Sequence, residues 1–209
     1  MESALQQLSL EEQLLWGLAA TLGLSLLLLF IGWAVERFAF QSKPPPCKGQ
    51  RKTGWRFFGE TLLLAIPISA IAVVLCNACE SAADALGWDL PEQDLVLLLK
   101  SGALPARIVS ILAAFAVIEA PLMEEAIFRR YIFRNLLRLR NVRPSLSMVA
   151  SGFLFALVHV NAVSFIPLWF FGIALAWLYY RTGRLLAPML THFLFNLVSV
   201  ATLLLTTEQ

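Results

Sequence analysis

Charged residues are concentrated in one otherwise apolar stretch of the sequence, from Glu119 to Phe133. An ionisable side chain inside a membrane-spanning segment costs roughly 3 kcal/mol on insertion scales, so such residues are usually paired and functional. Glu125 and Arg129 are four residues apart and can pair on one face of a helix. Glu124 points about 100° away from Glu125 and has Phe128, not a cation, one turn further on. The unpaired carboxylate of Glu124 is therefore the predicted site of chemistry.

Two other residues of this stretch are interpreted differently. Glu119 lies about one and a half turns before Glu124, on another face of the helix, and we assign it no role. Pro121 removes a backbone hydrogen bond just before the two acids and is expected to kink the helix. Such a kink can make room for a water molecule beside Glu124.

The chain contains two histidines, and both lie in apolar runs. His159 follows Phe155 by four residues in the predicted fourth span. Asn196 follows His192 by four residues in the predicted sixth span. Residues one helical turn apart share a face, so His192 and Asn196 can act on the same small molecule. Counted from the predicted cytoplasmic helix ends, Glu124 and both histidines lie roughly 12–22 Å deep, at a similar level.

The elements that must position these side chains are membrane helices. The chain has 209 residues, of which 59% are hydrophobic and 14% charged, and its mean hydropathy is +0.74. A soluble domain is nearer half apolar and a quarter charged. The predicted fold class is therefore all-α, a polytopic helix bundle embedded in a lipid bilayer. The net charge of +2 indicates no polyanionic partner, so we expect no nucleic acid.

Uncharged runs predict about six transmembrane helices, since one crossing takes roughly 20 residues. The run 144–180 contains no Asp, Glu, Lys or Arg and is long enough for two spans, with a turn expected at Asn161 to Pro167. Residues 41–56 are expected to form a basic loop, and residues 95–107 to lie at the membrane interface. The predicted spans are 13–35, 61–79, about 108–138, two within 144–180, and 185–207.

The basic residues predict the orientation of the chain. If 41–56, 129–143 and 181–184 are cytoplasmic, that side holds 14 of the 16 lysines and arginines, including Arg37. This is a strong positive-inside pattern. We expect an integral protein of the plasma (inner) membrane, with both termini on the non-cytoplasmic side. The first apolar run is too long for a signal-peptide core and is interpreted as a retained anchor.

The chain divides into two parts on these patterns. Residues 1–104 would form two N-terminal helices with a basic cytoplasmic loop and an acidic outer loop. Residues 105–209 would form the helix bundle that carries the candidate residues. A carboxylate, two imidazoles and an amide in one cavity suit water activation and oxyanion stabilisation.

The same side chains also suit zinc, because histidine nitrogens and carboxylate oxygens are ordinary zinc ligands. The ligands would then be His159, His192 and Glu124. The HExxH arrangement that would secure a zinc site does not occur in the sequence. The residues alone therefore leave open whether the cofactor is zinc or whether there is none.

Three short motifs resemble those of the CPBP family, the group of type II CAAX prenyl proteases and bacteriocin-processing proteins. EEAIFR at 124–129 is similar to the family's EExxxR motif, FALVH at 155–159 to its FxxxH motif, and HFLFN at 192–196 to its HxxxN motif. The resemblance covers roughly residues 105–200 in the same order, and no motif covers the first two spans.

The resemblance implies an intramembrane endopeptidase whose substrate is a membrane-associated protein or peptide, processed at a CAAX-type C-terminus or a leader. It implies that Glu124 activates water and that Asn196 helps to hold the water or the oxyanion. Glu125 and Arg129 would have a supporting role. Family members have been described both as metalloproteases and as glutamate proteases. The residues that would act directly are Glu124, His159, His192 and Asn196.

Two other functions remain compatible with the sequence. Intramembrane glutamates and histidines also carry protons, so the chain could be a proton or solute transporter. Transporters often contain an internal repeat, and we find none in this sequence. The chain could also be a catalytically silent relative that binds a membrane partner, for example as an immunity factor.

Overall fold

The computed structural model of the protein describes residues 9–40, 47, 54–88, 96–97, 99, 104–139 and 142–207. Six helices and no strand occur within these ranges, which confirms the predicted all-α class. The predicted loop 41–56 and the predicted interfacial segment 95–107 lie largely outside the described residues. The helices are α1 (Leu10–Phe38), α2 (Trp55–Ala85), α3 (Ala106–Leu136), α4 (Pro144–Leu157), α5 (Ala162–Thr182) and α6 (Leu186–Thr207).

Five of these helices are long and apolar enough to cross a membrane, and α4 is the exception. With 14 residues, α4 is only about 21 Å long, shorter than a hydrocarbon core of about 30 Å. By its length alone, α4 does not cross that core.

The turn between α4 and α5 lies earlier than the sequence predicted. Asn161 caps the start of α5, because its side-chain oxygen accepts a hydrogen bond from the N–H of Ser164 at 2.9 Å. Pro167, which was expected to lie in the turn, is buried inside α5. The capping asparagine sets where the helix begins, and membrane helices tolerate an internal proline when neighbouring groups satisfy the backbone.

Helices α4 and α5 form a tightly packed hairpin through two glycines. A Cβ atom on Gly172 would lie 2.8 Å from the Cα of Gly152, and a Cβ on Gly152 would lie 2.8 Å from the backbone nitrogen of Ile173. Lipid offers helices no hydrophobic reason to associate, so close backbone approach at small residues is a main source of packing energy. This hairpin holds the end of α4 in place.

Helix α2 packs beside α5 and α6 and covers the opposite side of the bundle. The buried hydroxyl of Ser69 on α2 donates a hydrogen bond to the carbonyl of Thr191 on α6, at 3.2 Å. Phe57, Leu178 and Ala187 form a small apolar cluster among the same three helices. This hydrogen bond fixes the backbone of α6 at Thr191, one residue before His192.

Helix α1 has no buried residue, yet ion pairs attach it to α3 near both of its ends. Arg107 pairs with Glu11 near the start of both helices. At the other end, Glu36 pairs with Arg130 at 3.2 Å and with Arg138 at 2.8 Å. Helices α1 and α3 therefore run parallel, and the region between these ion pairs is the one that contains the two acids.

Replacement of Gly152 by leucine tests the α4–α5 contact. The new side chain would collide with backbone atoms of α5, and we expect a loss of about 1–3 kcal/mol in the free energy of unfolding. Gly23 on α1 has nothing within 4 Å of its Cβ position, so Gly23→Leu is the matched control and should be neutral or slightly stabilising. Thermal unfolding in detergent measures both. Equal midpoints for the two variants would contradict the packing described.

Candidate active site

The acidic pair lies in an irregular part of α3. A π-helical segment, Phe115–Glu119, precedes a short α-helical segment, Ala120–Glu125, and a second π segment, Ala126–Phe133, follows it. The sequence predicted a kink at Pro121, and the structure shows widened turns on both sides of the acids. Such π segments are rare and frequently occur at functional sites.

Glu125 is the centre of a completely buried ionic cluster. Its Oε2 lies 2.8 Å from Nε of Arg129, and both side chains are 0% exposed. Its Oε1 lies 3.0 Å from Nδ1 of the buried His192 on α6. The pairing of Glu125 with Arg129 predicted from their spacing is confirmed, whereas the contact between Glu125 and His192 was not predicted.

Arg129 is held by aromatic rings in addition to its carboxylate. Its guanidinium carbon lies 4.9 Å from the ring centre of Phe155 and 5.9 Å from that of Phe128. A desolvated cation over an aromatic face gains about 2 kcal/mol. The two rings themselves pack edge to face, with their centres 5.4 Å apart. The buried charge is therefore compensated by π faces as well as by Glu125.

Glu124 faces in a different direction and has a different partner. Its Oε2 lies 3.8 Å from Nε2 of His159, which is too long for a hydrogen bond but within the range of an ion pair. The two side chains are 27% and 24% exposed, respectively. Glu125 is thus fully buried, whereas Glu124 remains partly exposed beside the imidazole of His159.

His159 lies in the turn after α4, not on the helix as the sequence predicted. Its Nδ1 is nevertheless 2.7 Å from the carbonyl oxygen of Phe155, four residues earlier. The next residue, Val160, has a positive φ of 48°, which is strained for a β-branched side chain. The early end of α4 brings the imidazole off the helix axis and towards Glu124.

The partners of the two histidines fix the same tautomer in both. A carbonyl or a carboxylate oxygen only accepts hydrogen bonds, so Nδ1 of His159 and Nδ1 of His192 each carry the hydrogen. In the neutral form of each ring, Nε2 then presents a lone pair. Both imidazoles are thus oriented through Nδ1, and Nε2 of His159 is the atom that faces Glu124.

Phe155 contacts both imidazole rings. Its ring centre lies 4.8 Å from that of His159 and 5.6 Å from that of His192. Phe155 is fully buried and also supports Arg129. One aromatic side chain therefore sets the positions of the two histidines and of the buried arginine relative to one another.

Asn196 reaches back from α6 to the first π segment of α3. Its Nδ2 donates a hydrogen bond to the carbonyl oxygen of Ala116 at 2.8 Å. Because that acceptor is a carbonyl, the amide nitrogen must face Ala116. The second N–H of the amide and its oxygen Oδ1 point elsewhere.

A cavity of about 210 Å³ lies between α1 and α3 and extends to Glu124. Its polar lining consists of Thr21 and Ser25 from α1 and of Glu119 and Glu124 from α3. The sequence placed Glu119 on a different face of the helix and gave it no role. The structure brings Glu119 into the lining of the same cavity as Glu124. Only the packing of α1, which has no motif, could have revealed this.

The side chains proposed as zinc ligands do not form a three-ligand site in this arrangement. Across the part of the chain that the structure describes, no three His, Cys, Asp or Glu side chains are close enough together to hold a metal ion. Glu124 and His159 are near each other, while His192 is turned towards Glu125 through its Nδ1. We therefore assign no step of the chemistry to a metal.

Comparison with known proteins supports the motif-based prediction. Residues 106–198 match the family model described as type II CAAX prenyl endopeptidase Rce1-like. The chain is also 36% identical over 96 residues to the membrane-embedded CAAX protease MroQ of Staphylococcus aureus. That alignment covers 44% of this chain and 38% of the length of MroQ. No solved structure matches the chain.

The matched segment contains all three motifs and five of the six helices are long and apolar enough to cross a membrane. The segment 106–198 is similar to the type II CAAX prenyl endopeptidase group, in agreement with the resemblance carried by the motifs EEAIFR, FALVH and HFLFN. The match includes all four residues proposed to act directly and the supporting pair of Glu125 and Arg129. It leaves out α1 and α2, although α1 supplies one wall of the cavity at Glu124.

Replacement of Glu125 by glutamine tests the buried cluster. The change leaves the guanidinium of Arg129 buried without a counter-charge, and we expect a loss of about 3–5 kcal/mol in stability. Glu11→Gln breaks the exposed ion pair with Arg107 and should cost at most about 1 kcal/mol. Unfolding of both variants in detergent measures the difference. Similar small losses in the two would mean that Arg129 does not depend on Glu125.

Proposed function

We propose that this protein is an intramembrane endopeptidase that hydrolyses a peptide bond with water activated by Glu124. The observation that carries the proposal is the contrast between the two adjacent acids. Glu125 is fully buried and occupied by Arg129 and His192, whereas Glu124 lines a cavity beside the Nε2 of His159.

In the proposed reaction a water molecule lies between the carboxylate of Glu124 and the lone pair of His159 Nε2. Glu124 takes one proton from the water, and the resulting hydroxide oxygen forms a bond to the carbonyl carbon of the substrate peptide. The carbonyl oxygen becomes an oxyanion. A base of this kind contributes about 10²–10⁴-fold to the rate when its pKa and position are suitable.

The oxyanion is stabilised by donors that the protein holds in place beforehand. The second N–H of Asn196 is one donor, and His192, whose ring is oriented by Glu125, is the other when its Nε2 carries a proton. Glu124 then gives its proton to the leaving nitrogen as the C–N bond breaks. The products are a carboxylic acid and an amine, and Glu124 is again a carboxylate, ready for another cycle.

The substrate is proposed to be a peptide or a membrane-associated protein, cleaved at a CAAX-type C-terminus or a leader segment. The family model names a prenyl endopeptidase, and the relative is named a CAAX protease. The proposed location is the plasma (inner) membrane with both termini on the non-cytoplasmic side. In that orientation the ion pairs of Glu36 with Arg130 and Arg138 lie at the cytoplasmic end of the bundle.

Substitution of Glu124 by glutamine is the direct test of the proposed function. Glutamine keeps the shape of the side chain but cannot accept the proton, so the cleavage rate of a fluorogenic peptide library should fall by at least about 10²-fold. Glu60→Gln, outside the matched segment and away from this cavity, is the control and should retain the wild-type rate. Purified protein in detergent is used, with and without a strong chelator.

Each outcome of this experiment separates the candidate functions. Activity that survives the chelator and is lost in Glu124→Gln supports the glutamate mechanism. Activity that the chelator removes and zinc restores would overturn it in favour of a metalloprotease that uses His159 and His192 as ligands. Near-normal cleavage by Glu124→Gln would refute Glu124 as the base.

Two amide substitutions of His159 separate the roles of its ring nitrogens. Asparagine can imitate the Nδ1–H that donates to the carbonyl of Phe155, and glutamine can imitate the position of Nε2. Because the proposal uses Nε2 to hold water, His159→Gln should retain more activity than His159→Asn, which should resemble His159→Ala. The kcat of the three variants on one peptide measures this. A more active asparagine variant would show that the bond to Phe155 is the important one.

A further inference from the structure

The carbonyl oxygen of Ala116 has lost its normal partner within α3. In a regular α-helix it would accept the N–H of the residue four positions later, Ala120. The N–H of Ala120 instead bonds to Phe115, five residues back, because the helix is widened at this point. In a continued π turn the next N–H, at position 121, would reach Ala116. Position 121 is Pro121, which has no N–H.

Asn196 supplies the donor that the helix lacks. Its Nδ2 lies 2.8 Å from the oxygen of Ala116, and Pro121 is fully buried. A backbone carbonyl without a donor is expensive inside a membrane, and side chains of neighbouring helices commonly satisfy such groups. The widened turn and the proline together therefore create an acceptor at the place where the side chain of α6 arrives.

We propose that Pro121 is a positioning residue for the reaction, because it leaves the carbonyl of Ala116 available to fix the amide of Asn196. The fixed amide cannot flip, so its second N–H and its Oδ1 keep one orientation. Ala116 lines the same cavity as Glu124. The amide is thereby anchored to a residue of the cavity wall. The effect of Pro121 on the reaction rests on the proposed function, whereas the hydrogen bond between Asn196 and Ala116 does not depend on it.

Exchange of the side-chain amide with deuterium tests the hydrogen bond without any reference to activity. The chain contains five asparagines, so protein labelled with ¹⁵N-asparagine gives a simple spectrum, and Asn196→Asp identifies the signal of Asn196. Pro121→Ala restores an N–H that competes for Ala116. We expect the Asn196 amide to exchange about tenfold faster in this variant, the equivalent of one lost hydrogen bond.

A matched proline provides the control. Pro167 is also fully buried and inside a helix, but it lies on α5. Pro167→Ala should leave the exchange of the Asn196 amide unchanged. If Pro121→Ala does not fold, Pro121→Ser restores the same N–H and serves in its place. Equal exchange in wild type and in the Pro121 variant would overturn the proposal.

Kinetics then test whether the fixed amide matters for the reaction. Pro121→Ala should lower kcat with little change in KM, and it should cause no further loss in an Asn196→Ser background, because both changes act through the same amide. Losses that multiply would mean that Pro121 acts independently of Asn196. If the wild type cleaves no peptide, the proposed function fails, while the exchange experiment still decides whether Pro121 positions the amide.

Discussion

The rest of the structure depends on the buried carboxylate of Glu125. A charge that water does not reach is stable only with close partners. That charge is tolerated only because Arg129 and His192 approach it from two helices and because aromatic rings face the guanidinium. Removal of any partner would leave a buried charge uncompensated. The cluster therefore fixes α6 against α3, and with it the two side chains on α6 that the chemistry would use. The neighbouring acid, Glu124, can remain accessible because the adjacent residue already supplies the rigidity.

Much of the fold follows from elementary patterns in the sequence. Long uncharged runs are enough to predict the helices, and a spacing of four residues is enough to pair Glu125 with Arg129. The sequence could not predict contacts between helices, such as those of Glu125 with His192 or of Asn196 with Ala116, because nothing local specifies them. It also missed that α4 ends before His159, since an apolar run looks the same whether or not its helix breaks. Glu119 was left without a role for a related reason: its environment is set by α1, which packs there through ion pairs at its ends.

Irregular backbone is concentrated around the candidate site. Two π segments flank the acids, a buried proline lies between them, and Val160 has a positive φ directly after His159. Each feature places a polar group where a straight helix would not. Within a bilayer such irregularity is stable only where other parts of the protein complete the hydrogen bonds. The bond from Asn196 to Ala116 and the bond from His159 to Phe155 do this, so the same side chains serve the backbone and the proposed chemistry.

The cavity at Glu124 is lined by two helices, α1 and α3. The wall on α3 carries motif residues, whereas the wall on α1 carries Thr21 and Ser25 on a helix with no motif and no buried residue. Substitutions in α1 can therefore change the width and polarity of the space without disturbing any ion pair or hydrogen bond of the buried cluster. Related proteins that share the motif side chains could in this way differ in which peptides the cavity admits. The selectivity for substrate could then change through α1 while the residues proposed for the chemistry stay the same.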